Sequence, residues 1–244
     1  MVRILAVIPA RYASERLPGK VLLPIAGRPM LQWVYEATIA SNVFDQVAIA
    51  TEDQRVVDAA AAFGAEAILT SADLASGTDR VAEASLHFPD CEVIANVQGD
   101  QPFVTPGLLQ ALVSPYRAGE LPEMTTVGGP YDPAQDADDP NTVKVVCDQR
   151  GNALYFSRSA IPYPRTVVHD LPVYHHFGLY AFRRDFLAQY RQLPPTPLER
   201  SESLEQLRVL EQGYRIRVVP CADKVIEVNT ADDLERANAW ASQR

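Results

Sequence analysis

The chain has 244 residues, of which 47% are hydrophobic and 22% charged, a composition that is ordinary for a globular domain and excludes a largely disordered protein. Lys and Arg number 22 and Asp and Glu 31, so the net charge of −9 argues against a protein that binds nucleic acids through their phosphates. No apolar run approaches the roughly 20 residues of a membrane-spanning helix, and no cleavage site follows the first apolar segment. Cys91, Cys147 and Cys221 are far apart and in no metal-binding spacing. We therefore expect a cytoplasmic protein with three buried free thiols and with no membrane or nucleic-acid partner.

The first half of the chain alternates between predicted strands and predicted helices. Buried strands are predicted at residues 3–8, 46–51, 67–69 and 92–97, and helices at 29–41, 53–63, 76–87 and from 105–106 onward. Gly64 is placed to cap the second helix, and Ser76 with Asp79 forms a capping-box pattern at the start of the third. This alternation is typical of a mostly parallel, doubly wound, Rossmann-like α/β sheet.

The second half has a different pattern. Strands are predicted at residues 142–147, 153–158, 176–183, 214–220 and 225–228, and helices at 198–212 and 230–240. The first two of these strands flank a turn and predict an antiparallel hairpin. Because no repeat or linker interrupts the chain, we predict a single domain over residues 1–244 with a small antiparallel insert at 141–183. The apolar strands of this insert need cover, so it is expected to form a dimer surface.

Cations are concentrated at the start of the chain. Residues 1–28 hold five Lys or Arg against one acid, a balance of +4, whereas residues 29–139 hold three Arg against 18 acids. Arg11, Arg16 and Lys20 follow the first strand in a loop of small residues, where cations and backbone N–H groups together suit a triphosphate. The loop has neither the GxxxxGK[ST] nor the GxGxxG spacing, and a surface loop with unpaired cations is the alternative.

Seven motifs carry a resemblance to a known family. They are IPARYASERLPGK at 8–20, SGTDR at 76–80, NVQGDQP at 96–102, NTVKVV at 141–146, ALYFSRSAIP at 153–162, HFGLYAF at 176–182 and PLERSESLEQLRVLEQG at 197–213. In this order and over essentially the whole chain, they resemble the sugar-acid cytidylyltransferases. The RLPGK spelling is most similar to the branch of that family that acts on an octulosonate.

The resemblance implies a nucleotidyltransferase whose partners are CTP and 3-deoxy-manno-octulosonate (Kdo). It implies that the enzyme joins CTP to the anomeric hydroxyl of Kdo, with Mg²⁺ as cofactor, and gives CMP-Kdo and pyrophosphate for lipopolysaccharide or another surface polysaccharide. Such a reaction is an in-line displacement at the α-phosphorus, in which the protein positions groups and neutralises charge. We expect a homodimer, because the apolar strands of the insert at 141–183 need cover.

The same resemblance assigns roles to individual residues. The implied catalytic residues are Arg11, Lys20 and Asp100. The implied nucleotide-binding residues are Ala10, Arg11, Ser14, Arg16, Lys20, Ser76, Arg80 and Asp100. Asp100 follows a buried strand at the edge where α/β sheets bind ligands, and it is the expected Mg²⁺ ligand. The family usually has His at the position of Leu74, so the contribution of that side chain is absent here or is supplied by another group.

The sugar-binding residues are expected mainly in the second half. The implied set is Gln98, Arg158, His176, Tyr180, Glu202 and Glu205. Arg158 is a candidate for the Kdo carboxylate because guanidinium binds carboxylate in a bidentate manner. His176 and Tyr180 are four apart on one predicted strand, and Glu202 and Glu205 three apart on one predicted helix, so each pair is expected to share a face. A structural histidine and a solvated helix face are the alternatives.

One departure from the family concerns the metal. The family typically reads VDTPEDL near its C-terminus, and this chain reads VNTADDL, which puts Asn229 where an aspartate ligand is expected. Glu227, two residues earlier on a predicted strand, is the natural substitute.

The sequence leaves three alternative functions open. A related enzyme could activate another sugar acid, an 8-amino analogue of Kdo or a nonulosonate. A non-catalytic CTP-binding module would tolerate Asn229, although it would need neither Lys20 nor Asp100. A metal-dependent glycosyltransferase would use a DxD pair, but the matching residues 136–138 lie in a predicted loop.

Overall fold

The computed structural model describes residues 2–13, 17–166, 168 and 171–242. The chain forms two compact units, one of residues 1–110 and 225–244 and the other of residues 111–224. Compact units of this kind can belong to one folding domain, so the single domain over residues 1–244 stays a prediction. No helix in the described part of the chain is long and apolar enough to cross a membrane.

The strands and helices are numbered in chain order. The strands are β1 Ile4–Pro9, β2 Pro24–Ile25, β3 Arg28–Pro29, β4 Gln46–Thr51, β5 Ala67–Leu69, β6 Val93–Asn96, β7 Met124–Gly129, β8 Lys144–Cys147, β9 Ala153–Ser157, β10 Val173–Arg183 and β11 Ile216–Pro220. The helices are α1 Met30–Ala40, α2 Gln54–Ala62, α3 Gly77–Ser85, α4 Pro106–Arg117, α5 Pro133–Asp136, α6 Arg184–Tyr190, α7 Pro197–Glu202, α8 Leu207–Glu211 and α9 Ala231–Ala241. A short 3₁₀ turn spans Lys20–Leu22.

Parallel strands organise the first unit. β1 pairs in parallel with β4 on one side and β6 on the other, and β4 pairs in parallel with β5. β1 is buried along nearly its whole length, as its continuous apolar sequence predicts. Helices connect these strands because a parallel pair needs a crossover connection. The predicted Ser76–Asp79 capping box is present at α3.

The second unit mixes the two strand directions. β11 pairs with β7 in parallel, whereas β10 pairs in antiparallel fashion with both β7 and β8, and β8 with β9. The chain is therefore a mixed α/β protein with a mostly parallel sheet and a small antiparallel part, as predicted. β7, α5 and α6 are additional elements that the sequence analysis did not identify.

Two elements predicted in the second half are wrong. The predicted helix at 198–212 is two short helices, because Ser203 ends α7 in the left-handed conformation with φ of 52° and ψ of 49°. The predicted strand at 225–228 is not a strand, and Val228 instead donates one backbone hydrogen bond to the carbonyl oxygen of Asp100.

An aromatic cluster fixes the loop that follows β6. The Phe103 ring packs against Trp240 at 3.9 Å between centroids and against Trp33 at 5.7 Å, and Ile25 and Val228 belong to the same buried cluster. The two tryptophans lie on α9 and α1. These contacts hold the segment that carries Asp100 against rigid helices.

Candidate functional site

An ion pair joins residues that are far apart in sequence. Lys20 Nζ lies 2.8 Å from Asp100 Oδ2 and donates a longer hydrogen bond of 3.4 Å to Asn229 Oδ1. Both charged side chains are largely buried, with 12% of Lys20 and 28% of Asp100 exposed. The structure thus brings together three of the predicted nucleotide- and metal-binding residues within the first unit.

Backbone contacts explain how these segments meet. A Cβ added at Gly99 would lie only 2.7 Å from the carbonyl oxygen of Pro9, so only glycine lets the loop after β6 approach the end of β1 so closely. On its other side, Asp100 accepts the hydrogen bond from Val228 N at 2.9 Å. The cluster therefore lies at the carboxyl ends of β1 and β6, the edge at which open α/β sheets bind ligands.

Glu227 is the second carboxylate of this cluster. Its Oε1 accepts a hydrogen bond of 3.0 Å from Gln101 Nε2, and its Oε2 accepts one of 3.1 Å from Asn229 Nδ2. Part of residue 227 is exposed, but its carboxylate lies in crowded surroundings, and this desolvation together with the charge of Asp100 raises the pKa of Glu227. The prediction that Glu227 lies beside Asn229 is correct in position, although no strand holds them.

The donor set of this cluster fits Mg²⁺. Asp100, Glu227 and Asn229 offer two carboxylates and an amide oxygen, and Lys20 balances only one of the two negative charges. No group of three or more His, Cys, Asp or Glu side chains placed to hold a metal occurs among the described residues. Mg²⁺ commonly binds through one or two carboxylates and completes its shell with water and substrate phosphates, so this set is sufficient for it.

Four other predicted nucleotide-binding residues belong to the end of β1 and the loop after it, and the structure describes two of them. Arg11 is exposed, and its Nη2 donates a hydrogen bond of 2.7 Å to the carbonyl oxygen of Leu74. Ala10 is buried and donates its N–H to the carbonyl oxygen of Ala50 at 2.8 Å, so that N–H is already used within the sheet. Ser14 and Arg16 lie outside the described residues.

Arg80, a predicted nucleotide-binding residue, is buried in the first unit. Its side chain is 1% exposed and pairs with Glu52 at 3.2 Å, and its guanidinium also donates to Thr70 Oγ1 and to the carbonyl oxygen of Ser71. Glu52 Oε1 in turn accepts a hydrogen bond of 3.0 Å from the backbone N–H of Tyr12. In this structure Arg80 therefore supports the loop after β1 from inside the unit. The sequence analysis did not identify Glu52.

Ser76 acts as the N-cap of α3. Its Oγ accepts a hydrogen bond from Asp79 N and donates one to Asp79 Oδ2, at 3.0 and 2.8 Å. These bonds satisfy the hydroxyl group and form the capping box predicted for the start of this helix. Gln98 lies half-buried in the loop after β6.

Arg158 binds main-chain oxygens in the second unit. Its guanidinium donates to the carbonyl oxygens of Glu202 at 2.8 Å, Pro140 at 2.8 Å and Ser203 at 3.4 Å. Lys144, which is fully buried, donates to the carbonyl oxygens of Asp139 at 3.0 Å and Arg158 at 2.5 Å. Burial lowers the pKa of Lys144. The two cations thus join three loops of this unit, and the motif NTVKVV is the signal that could have indicated Lys144.

His176 and Tyr180 lie on the same side of β10, as predicted, and both are buried. Thr126 Oγ1 donates to the carbonyl oxygen of Leu179 at 2.7 Å, so it must accept from His176 Nε2 at 3.0 Å. Gln206, which the sequence analysis missed, lies 3.5 Å from His176 Nδ1 through its Nε2 and accepts from Tyr180 at 3.0 Å. Burial lowers the pKa of His176 to about 3, so the ring is neutral with its proton on Nε2.

Glu202 and Glu205 do not share one helix face, because α7 ends between them at Ser203. Glu202 accepts hydrogen bonds from Ser157 Oγ at 2.7 Å and Arg158 N at 2.9 Å. Glu205 lies in the following turn, and its Oε2 accepts from Tyr190 at 3.4 Å. The expectation of one acidic face was therefore wrong, and the left-handed Ser203 is the reason.

Comparisons with known proteins agree on one family. A family model described as cytidylyltransferase matches residues 5–216. The chain is 98% identical to a 3-deoxy-manno-octulosonate cytidylyltransferase of Synechococcus elongatus over the full length of both chains. It is 55% identical to the enzyme of the same name from Acaryochloris marina, with 98% of each chain covered. A solved structure of CMP:2-keto-3-deoxy-manno-octonic acid synthetase complexed with CTP has a TM-score of 0.92 at 43% identity and covers 99% of both chains.

Proposed function

The chain belongs to the cytidylyltransferase family, and we propose that it transfers the cytidylyl group of CTP to the anomeric hydroxyl of Kdo. In this reaction the sugar oxygen forms a bond to the α-phosphorus, and the bond from that phosphorus to the bridging oxygen breaks. The leaving electron pair goes to pyrophosphate, and the hydroxyl proton is lost to solvent. The products are CMP-Kdo and pyrophosphate.

The observation that carries the proposal is the pair of Lys20 and Asp100 at the carboxyl ends of β1 and β6. An ammonium group beside a carboxylate supplies both the charge that a triphosphate needs and an oxygen donor for a cation. Arg11 is exposed at the start of the same loop and adds a second positive charge. Together Lys20 and Arg11 are proposed to bind the triphosphate and stabilise the charge on the leaving pyrophosphate.

Mg²⁺ is proposed as the cofactor. Asp100 would hold it through its carboxylate, beside the side-chain oxygens of Asn229 and Glu227. When bound, the ion neutralises phosphate charge and orients the triphosphate. The chain's own contribution is to keep these oxygens together through Gly99 and the hydrogen bond between Val228 and Asp100.

The second unit is proposed to recognise the sugar acid. Arg158 is proposed to bind the carboxylate of the sugar acid, through the N–H groups that its three contacts with carbonyl oxygens do not use. His176 is neutral and fixed in one tautomer, so its proposed role is to hold Gln206 and Tyr180 in place. The final destination of the product in a surface polysaccharide and the cytoplasmic location stay predictions.

A homodimer is proposed from exposed apolar side chains of the second unit. Within residues 141–183 these are Leu154, Tyr163, Val168 and Leu171. Tyr163 is 86% exposed. A group of exposed apolar side chains on a strand and its following loop is typical of a protein interface.

Pyrophosphate release tests the proposed function. The purified chain is incubated with CTP and Mg²⁺, and with Kdo, 8-amino-Kdo, sialic acid or no sugar. We expect release that requires a sugar and is fastest with Kdo. Faster release with 8-amino-Kdo or with sialic acid would move the assignment to that sugar, and CTP binding without release for any sugar would indicate a binding module.

A further inference from the structure

Two amide groups hold the carboxylate of Glu227, one at each oxygen. Gln101 Nε2 donates to Oε1 at 3.0 Å and Asn229 Nδ2 donates to Oε2 at 3.1 Å. A carboxylate oxygen has more than one lone pair, so each oxygen can still bind a cation while it accepts such a bond. Part of residue 227 is also open to solvent. The carboxylate is therefore fixed in orientation without being closed off.

Asn229 contacts both the ammonium group of Lys20 and the carboxylate of Glu227, and it uses a different atom for each. Its Oδ1 accepts from the Lys20 ammonium at 3.4 Å, and its Nδ2 donates to Glu227. The opposite orientation of the amide would place NH₂ against an ammonium group and oxygen against a carboxylate. An aspartate at this position could accept from Lys20 but would put two carboxylates about 3 Å apart, where like charges repel strongly. The negative charge of Glu227 therefore requires a neutral amide at position 229 and fixes the orientation of that amide.

We propose that Glu227 is a cation-binding residue of this chain, in partnership with Asp100, and that Asn229 and Gln101 are positioning residues for its carboxylate. The carboxylate that the family pattern leads one to expect at position 229 is thus supplied from position 227. The proposal rests on the proposed function only for the identity of the cation as Mg²⁺. It explains why the chain keeps two carboxylates beside one ammonium group although residue 229 is neutral.

The test measures cation binding without CTP or sugar. Mn²⁺ affinity is measured by electron paramagnetic resonance of the free ion, and thermal stability is followed with increasing MgCl₂ or MnCl₂ and in EDTA. The variants are Glu227→Gln, Asn229→Asp and the double variant, which moves the carboxylate from one position to the other. Asp232→Asn is the matched control, because it removes one exposed acid close by in sequence and outside the cluster.

We expect Glu227→Gln to weaken Mn²⁺ binding about tenfold, and Asp232→Asn to leave it unchanged. The double variant should recover most of the lost affinity. Asn229→Asp alone should melt a few degrees lower in EDTA, because two carboxylates then face each other, and added cation or the second change Glu227→Gln should restore its stability.

The proposal is overturned if Glu227→Gln binds Mn²⁺ as the control does, or if Asn229→Asp melts in EDTA at the temperature of the original chain. An original chain that neither binds Mn²⁺ nor gains stability from either cation would overturn it as well. Because no nucleotide is present, a failure of the pyrophosphate assay would count against the proposed function and leave this test unaffected.

Discussion

Lys20 and Arg11 are the residues on which the proposed chemistry depends most. Lys20 is held by Asp100 and Asn229, whereas Arg11 contacts the main chain at Leu74 and keeps an exposed guanidinium. We expect Lys20→Ala and Arg11→Ala each to lower the turnover of CTP with Kdo by about 10²–10³-fold, because each removes a positive charge that stabilises the transition state. Steady-state kinetics with the pyrophosphate assay measure this.

Arg3→Ala is the control for these two variants. Arg3 also belongs to the N-terminal group of cations, but it forms an exposed pair with Asp90. Its loss should leave turnover unchanged, and circular dichroism should show that all three variants are folded. Normal turnover in both Lys20→Ala and Arg11→Ala would remove the triphosphate assignment.

Arg80 is placed to contribute to the stability of the first unit. Because its guanidinium is buried and paired with Glu52, removing it leaves a largely buried carboxylate without its counterion. We expect Arg80→Met to lower the free energy of unfolding by about 3 kcal/mol or more, and Arg3→Met, from an exposed pair, by less than about 1 kcal/mol. Urea denaturation measures both losses. Equal losses would show that the buried ion pair contributes no more to the free energy of unfolding than the exposed one.

Secondary structure could be predicted where local signals and burial agree. The apolar run of β1 and the Ser76–Asp79 capping box are such signals, and both elements form as expected. The end of α7 could not be predicted, because the leucine spacing continues through it and only the left-handed backbone of Ser203 breaks the helix. β7 was missed because it ends in Gly128 and Gly129, and glycine is depleted in strands.

Those glycines are required by packing. A Cβ at Gly129 would lie 1.8 Å from the Phe177 ring, so the neighbouring strand β10 could not keep its place. We expect Gly129→Ala to lower the free energy of unfolding by about 1–3 kcal/mol. Gly77→Ala is the control, because its added Cβ would meet only Pro9 at an ordinary 3.7 Å and its effect should be small. An equally small effect of Gly129→Ala would show that Phe177 can move aside.

At the scale of the whole molecule, the sequence predicted the fold class and the residues Lys20, Asp100 and Asn229 that meet in one cluster. It could not predict the roles of Glu52 and Gln206, because a single glutamate or glutamine carries no local signal of the partner that the fold gives it. Arg80 belongs to a motif that was assigned to nucleotide binding, yet its side chain is buried. Contacts between segments far apart in sequence decide such cases.

The proposed homodimer has its own test. We expect analytical ultracentrifugation at micromolar concentration to give the mass of two chains, because the exposed apolar side chains of residues 141–183 need cover. Tyr163→Glu should shift the equilibrium toward the monomer, since it places a charge on the most exposed of these side chains. A monomer for the unchanged chain at this concentration would contradict the proposal.

The most direct test of the account follows the phosphates of CTP. The chain is incubated with Kdo, Mg²⁺ and CTP labelled at the α-phosphate or, in parallel, at the γ-phosphate, and the products are separated. We predict that the α label appears in a sugar nucleotide only when Kdo is present, that the γ label appears in pyrophosphate, and that Lys20→Ala forms both products about 10²–10³-fold more slowly. Transfer of the γ label to the sugar, or an α label that never reaches a sugar nucleotide, would contradict the proposed attack on the α-phosphorus.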